Sequence, residues 1–226
     1  MRILQEDKME IRLEHIKKEY IRGSRVQTVL DDVNATIPSG SFWLIKGHSG
    51  SGKSTLLNII SGLMAPTEGR VFYGEQELTG FNDEKKAKLR SSQVGIVTQE
   101  DSLIPYLTVY ENINLPDLIG RHTGEKNTKE KGEYVEKLLK QAGIRELTAE
   151  YPAHLSGGEV RRASIVRALA QNPEVVILDE PTANLDHDNV ERVLQLLRRI
   201  ADEGTTVIIA SHESEAEAYV DRNIGL

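Results

Sequence analysis

The chain has 226 residues, a formal net charge of −7 and no cysteine. That length suits one well-packed α/β unit with an attached subdomain and is short for two independent cores. The acidic balance argues against nucleic acid as a main partner, since a basic surface is needed to displace phosphate counterions. The missing thiols exclude disulfides, thiolate metal ligands and a cysteine nucleophile.

In chain order, Met1 to Glu10 alternates charge with isolated apolar residues and lacks the apolar centre of a signal peptide. Ile11 and Leu13, then Val26, Val29 and Leu30, then Val33, Ala35 and Ile37 favour extended structure, closed by a turn at Pro38, Ser39 and Gly40. An antiparallel β subdomain is therefore expected first. Ser41 to Ile45 reads as a buried strand that runs into a Gly/Ser-rich loop, and Thr55 to Ile60 as the helix after it. Val94 to Val97, Val175 to Leu178 and Val207 to Ala210 are short apolar runs of the kind found in parallel strands covered on both faces. They fall far below the roughly 18 residues of a membrane span. The stretch Gly120 to Gly132, rich in Lys, Glu, Thr and Gly, is expected to be a solvated loop between two helices. Val135, Leu138, Leu139 and Ala142 then form a helical stripe ended by Gly143, and Val190, Val193, Leu194, Leu197 and Ile200 form another before Gly204. Alternation of strand and helix implies an α/β fold with a mostly parallel core sheet.

Gly47, His48, Ser49, Gly50, Ser51, Gly52, Lys53, Ser54 and Thr55 fit the phosphate-cradling pattern G-x-x-x-x-G-K-[ST] between a strand and a helix. A triphosphate needs several N–H groups converging on its oxygens, and a glycine-rich turn at a helix N-terminus supplies them. Lys53 would neutralise the β- and γ-phosphates, and the Ser54 hydroxyl would ligate Mg²⁺. Downstream, the apolar run ending at Leu178 leads into Asp179, Glu180 and Pro181, two carboxylates where a parallel sheet binds ligands. Asp179 would hold Mg²⁺ through its water shell and Glu180 would polarise the water that attacks the γ-phosphate.

Leu155, Ser156, Gly157, Gly158 and Glu159 add a further motif. As a local pattern, Ser156 and Glu159 make a capping box for a helix running to Ala170, ahead of Asn172 and Pro173. With the cradle and the carboxylate pair, the motif resembles the signature of the ABC ATPase family, and the resemblance covers the chain from about Ile11 onward. It implies a P-loop NTPase fold with an N-terminal antiparallel β subdomain and an α-helical signature subdomain. The core would comprise 9–100 and 170–226, and the helical subdomain 101–169. It implies ATP hydrolysis with Mg²⁺ in a head-to-tail dimer, either of two copies or with a related ATPase. Ser156, Gly157 and Gly158 of one subunit would close over the γ-phosphate held by the other.

Further positions follow from the same resemblance. Gln99 resembles the glutamine that touches Mg²⁺ and the attacking water, Asp186 of Asn184, Leu185 and Asp186 the loop crossing the dimer interface, and His212 the switch histidine at the γ-phosphate. Tyr20 resembles the aromatic that stacks on adenine, or is a plain strand aromatic. Leu103 to Glu111, with Tyr106 and Glu111 foremost, would receive a separate membrane-spanning permease, placing the chain on the inner face of the cell membrane. Two features depart from the common pattern: Glu159 stands where most members carry Gln, and Val160, Arg161 and Arg162 replace a Gln-rich run. The sequence is most similar to the lipoprotein-releasing, macrolide-exporting and cell-division group, which implies export or extraction, with transmembrane signalling as the alternative. The chain ends fourteen residues after His212, short of the β-structure and helix usual in such proteins, as in a minimal subunit or a shortened chain. Asp117 to Gly120 matches a GTPase DxxG by chance, since no Asn-Lys-x-Asp follows.

Overall fold

The computed structural model describes residues 9–23, 25–99, 103–119 and 128–226. The expectations for Met1 to Lys8, for the start of the helical stretch at 101 and for 120–127 lie outside the described residues. The first strands are β1 (Ile11–Arg22), β2 (Arg25–Ile37) and β3 (Phe42–Lys46), followed by helix α1 (Lys53–Ile60). Next come β4 (Glu68–Tyr73), β5 (Gln76–Glu77), α2 (Asp83–Gln93) and β6 (Val94–Val97). Three helices succeed one another, α3 (Val109–Ile119), α4 (Thr128–Ala142) and α5 (Gly157–Leu169). The chain closes with β7 (Val175–Asp179), α6 (His187–Asp202), β8 (Thr206–Ser211) and β9 (Arg222–Gly225).

Two sheets result. One is antiparallel with four strands in the order β2-β1-β4-β5, and the other is parallel with five in the order β6-β7-β8-β3-β9. Successive side chains along a strand point to opposite faces, and the parallel strands use both. Phe42, Leu44, Val176, Leu178, Val207 and Ile209 join a core with α4, α5 and α6. Trp43, Ile45, Val175, Ile177, Ile208 and Ala210 join a second core with α1 and the antiparallel sheet. A sheet buried on both faces cannot alternate apolar with polar residues, which is why its strands read as unbroken apolar runs.

The two apolar stripes are α4 and α6, and each ends as its glycine requires. Gly143 (φ 64°) and Gly204 (φ 105°) adopt the left-handed conformation. Ile144 N–H then reaches Leu139 O at 3.1 Å and Gly143 N–H reaches Lys140 O at 3.1 Å, the paired bonds of a Schellman stop. One expectation is corrected here. The loop read from Gly120 to Gly132 does not extend so far, because 128–132 is already the first turn and a half of α4. Lys129, Glu130 and Lys131 are residues that a helix accepts readily at its solvent side, and the tertiary packing of the stripe from Val135 fixes the helix upstream of it despite Gly132. Among the described residues no helix is long and apolar enough to cross a membrane.

Candidate active site

The carboxyl ends of β3, β6, β7 and β8 open on one edge of the parallel sheet, the edge where such sheets bind ligands. The chain leaving β3 makes the glycine-rich turn. Gly50 (φ 81°) and Gly52 (φ 104°) lie in the left-handed region, and a Cβ at Gly52 would press on Val29 and Leu30. At Gly47 a Cβ would collide with Ser51 Oγ. These close approaches let the backbone fold back on itself ahead of α1.

Helix α1 begins without a side-chain cap on Gly52 and without an acidic residue in its first turn. By contrast, Asn82, Ser156 and Asp186 cap α2, α5 and α6. The first N–H groups of a helix have no intrahelical partner and carry the positive end of its dipole. At α1 they face a cleft of 440 Å³ lined by Tyr20, Gln27, Val29, Ser49, Gly50, Gly52, Lys53, Ser54, Thr55, Gln99 and Glu180. An anion with several oxygens fits this cradle.

Lys53 is buried and donates to the carbonyls of Gly47 (2.9 Å) and His48 (3.3 Å). Its Nζ lies 3.3 Å from Glu180 Oε1, both side chains being about nine-tenths buried. Glu180 has φ 48°, and its N–H bonds to Ala210 O at 2.9 Å. A non-glycine residue there stores about 1–3 kcal/mol of strain, and it turns the Glu180 carboxylate into the cleft, away from the strand direction of Asp179. His212, just beyond β8, brings Nδ1 to 3.1 Å from Glu180 Oε2. Burial holds the Asp179 carboxyl above the usual range, opposed by its hydrogen bond with Ser54 and reinforced by the Glu180 charge. Asp179 Oδ1 is buried with no partner among the described residues. A hydroxyl, an underused carboxylate and an amide carbonyl at Gln99 are hard oxygen ligands of the type Mg²⁺ takes alongside phosphate. Among the described residues no cluster of three or more His, Cys, Asp or Glu forms an all-protein metal cage.

Tyr20 also borders this cleft, its hydroxyl donating to Met64 Sδ at 3.3 Å while the Lys18 ammonium stands 5.5 Å from the ring centroid. Gln27 lies opposite Tyr20 on β2. Neither Gln27 nor Val29 was legible as a site residue, because only folding sets Gln27 opposite Tyr20 and Val29 against Gly52.

Ser156, Gly157, Gly158 and Asp186 are absent from the lining of the cleft. The capping box at Ser156 is complete. The N–H and Oγ of Ser156 donate to Glu159 Oε2 at 2.8 and 2.9 Å, and Glu159 N–H donates to Ser156 Oγ at 3.4 Å. These bonds, with Arg162 nearby, hold the Glu159 carboxyl below the usual range. Asp186 Oδ1 accepts from Asn189 N–H at 3.0 Å and Oδ2 from Asn189 Nδ2 at 2.8 Å, while Asn189 Oδ1 accepts from Arg162 at 2.6 Å. The signature turn and the segment at Asp186 are thus tied together on a surface apart from the chain's own cleft.

The family model described as ABC transporter matches residues 30–183. The chain is 39% identical over 218 residues to the ABC transporter ATP-binding protein MJ0796 of Methanocaldococcus jannaschii, covering 96% of this chain and 92% of that one. It is 40% identical over 214 residues to the lipoprotein-releasing system ATP-binding protein LolD of Aquifex aeolicus, covering 95% and 92%. The fold is similar to the dimeric post-hydrolysis state of the cassette MJ0796 bound to ADP and Pi, with a TM-score of 0.85, 37% identity, and coverage of 96% and 94%. With a phosphate cradle, an acid pair and a signature helix in one chain, the protein belongs to the ABC transporter family as one of its ATP-binding, ATP-hydrolysing subunits.

Proposed function

We propose that two copies of this chain, or one copy and a related ATPase, close head to tail on two ATP molecules and drive separate membrane-spanning permease subunits. The observation that carries this reading is the division of one chain into two half-sites. The uncapped N-terminus of α1 faces its own cleft, and the N-terminus of α5 at Gly157 and Gly158 takes no part in lining it. A second copy would bring them together over one triphosphate. The dimeric MJ0796 cassette with ADP and Pi supports the pairing by likeness.

Within each cleft Tyr20 stacks on adenine, and the segment Gly47 to Thr55 wraps the phosphates with Lys53 as counter-charge. Ser54, Asp179 and Gln99 would hold Mg²⁺, which would supply positive charge to offset that of the phosphates. Glu180 orients and polarises the attacking water and His212 supports it from the γ-phosphate side. Ser156, Gly157, Gly158 and Asp186 act on the partner's nucleotide. We divide the chain into a core of 9–100 with 170–226 and a helical subdomain of 101–169.

The permease surface lies on that helical part. Ile104, Tyr106, Tyr110 and Tyr151 are exposed there, Tyr106 at 89%. Asn112 is fully buried; its side-chain NH2 donates to the carbonyls of Ile104, Leu107 and Thr108 and its Oδ1 accepts from Ile104 N–H. Exposed aromatics on a segment whose backbone is held by a satisfied buried amide suit docking of a permease segment. Glu111, exposed on the same segment, joins this surface and also accepts from Thr108 N–H and Oγ, which shapes the loop. Through this contact the chain sits on the inner face of the cell membrane, and likeness to LolD favours export or extraction.

Glu180→Gln should bind ATP yet turn over about 10²–10⁴-fold more slowly. Immobilised with ATP, that variant should capture a polytopic permease from solubilised membranes. A normal hydrolysis rate would refute the role of Glu180, and recovery of soluble partners alone would refute the transport role.

A further inference from the structure

One turn beyond Gly157 and Gly158, Arg161 leaves α5 toward the parallel sheet and is 5% exposed. Its Nη1 donates to Thr98 O at 3.1 Å and its Nη2 to Gln99 O at 3.0 Å. These carbonyls follow the last residue of β6, the edge strand, whose pairing with β7 ends at Val97 and Leu178. A planar guanidinium spans two successive carbonyls as no ammonium does, and its burial depends on such acceptors. Farther along the same helix, a Cβ at Gly95 of β6 would collide with Ala168 O of α5. Helix and strand therefore touch backbone to backbone at one end, while Arg161 fastens the other end to the segment bearing Gln99.

We propose that Arg161 is the positioning residue that couples the chain's two nucleotide-facing surfaces. When Gly157 and Gly158 are drawn onto the partner's phosphate, α5 carries the backbone of Thr98 and Gln99 with it. Gln99 then shifts in the chain's own cleft. Occupancy of one cleft is in this way felt in the other, a coupling that appears as cooperative hydrolysis. The inference rests on the head-to-tail reading given above and on Gln99 meeting the nucleotide of its own chain.

The test is the ATP-concentration dependence of hydrolysis by the full chain, by Arg161→Gln and by Arg161→Lys, with ATP affinity and melting temperature measured alongside. The parent should show a Hill coefficient approaching about 2, the limit for two sites. Both variants should fall toward about 1 with ATP affinity within about twofold of the parent, assayed well below their melting temperatures, which the loss of two buried hydrogen bonds lowers. Cooperativity retained in either folded variant would overturn the inference. So would its loss in step with ATP affinity, the mark of a merely structural role. Arg161→Lys, which keeps the buried charge and loses the fork, decides the matter if Arg161→Gln fails to fold. A non-cooperative parent would instead sink the two-site reading beneath it.

Discussion

Gly157 and Gly158 are neighbours with different reasons to be glycine. A Cβ at Gly158 would collide with the Asn189 side chain, which Asp186 and Arg162 hold in place, whereas at Gly157 nothing lies within 4 Å. Packing within the chain therefore explains the second and not the first. Gly158→Ala should cost about 1–3 kcal/mol in denaturant unfolding, the range for overpacking. Gly157→Ala should leave stability within about 0.5 kcal/mol, as expected of an open surface position, and lower ATP turnover if that backbone must approach a ligand closely. Equal losses of stability in the two variants would contradict this distinction. At this scale the motif residues were legible because their chemistry is packed into short stretches of chain. Gln27, Asn112 and Arg161 were not, since each depends on partners brought near by folding. The buried Arg161 carries no mark in the sequence beyond its departure from a Gln-rich run.

Among the elements, α5 begins with a cap whose strength depends on pH. Hydrogen bonds from Ser156 hold the Glu159 carboxyl below its ordinary value of 4.5. An acid whose folded pKa is depressed contributes stability that is fully present above its unfolded value and is lost as pH falls through the folded one. The stability advantage of the parent over Glu159→Gln should therefore be constant near neutrality and shrink once pH drops below about 4.5. Melting curves taken from neutral pH downward test it, and a gap that widens on acidification would contradict it. The stripes of α4 and α6 made those helices legible, as did the apolar runs of the parallel strands. Other elements give weaker signals. Of α2 only Leu89 is buried, so it has no stripe, and α3 contains Pro116, which breaks the usual helix pattern. Strand β4 buries only Val71 and Tyr73, too few to stand out as an alternating segment. It joins the antiparallel sheet through pairing with β1, from Lys17 opposite Glu68 to Ile11 opposite Tyr73, far apart in sequence.

For the whole molecule, the division into half-sites predicts that association follows nucleotide. Glu180→Gln should sediment as a dimer with MgATP and as a monomer with ADP, while Lys53→Ala should remain monomeric in both. A Glu180→Gln dimer unaffected by nucleotide would show that ATP is not what joins the copies. The parallel sheet also sets the position of the last residues. Strand β9 lies beside β3, Leu226 N–H donates to Lys46 O at 2.9 Å, and Leu226 O stands 3.0 Å from where a Gly47 Cβ would be. Any polypeptide joined to Leu226 thus sets out from the root of the phosphate loop, so a fluorescent or affinity fusion at that end crowds the nucleotide site before its linker has room to turn away.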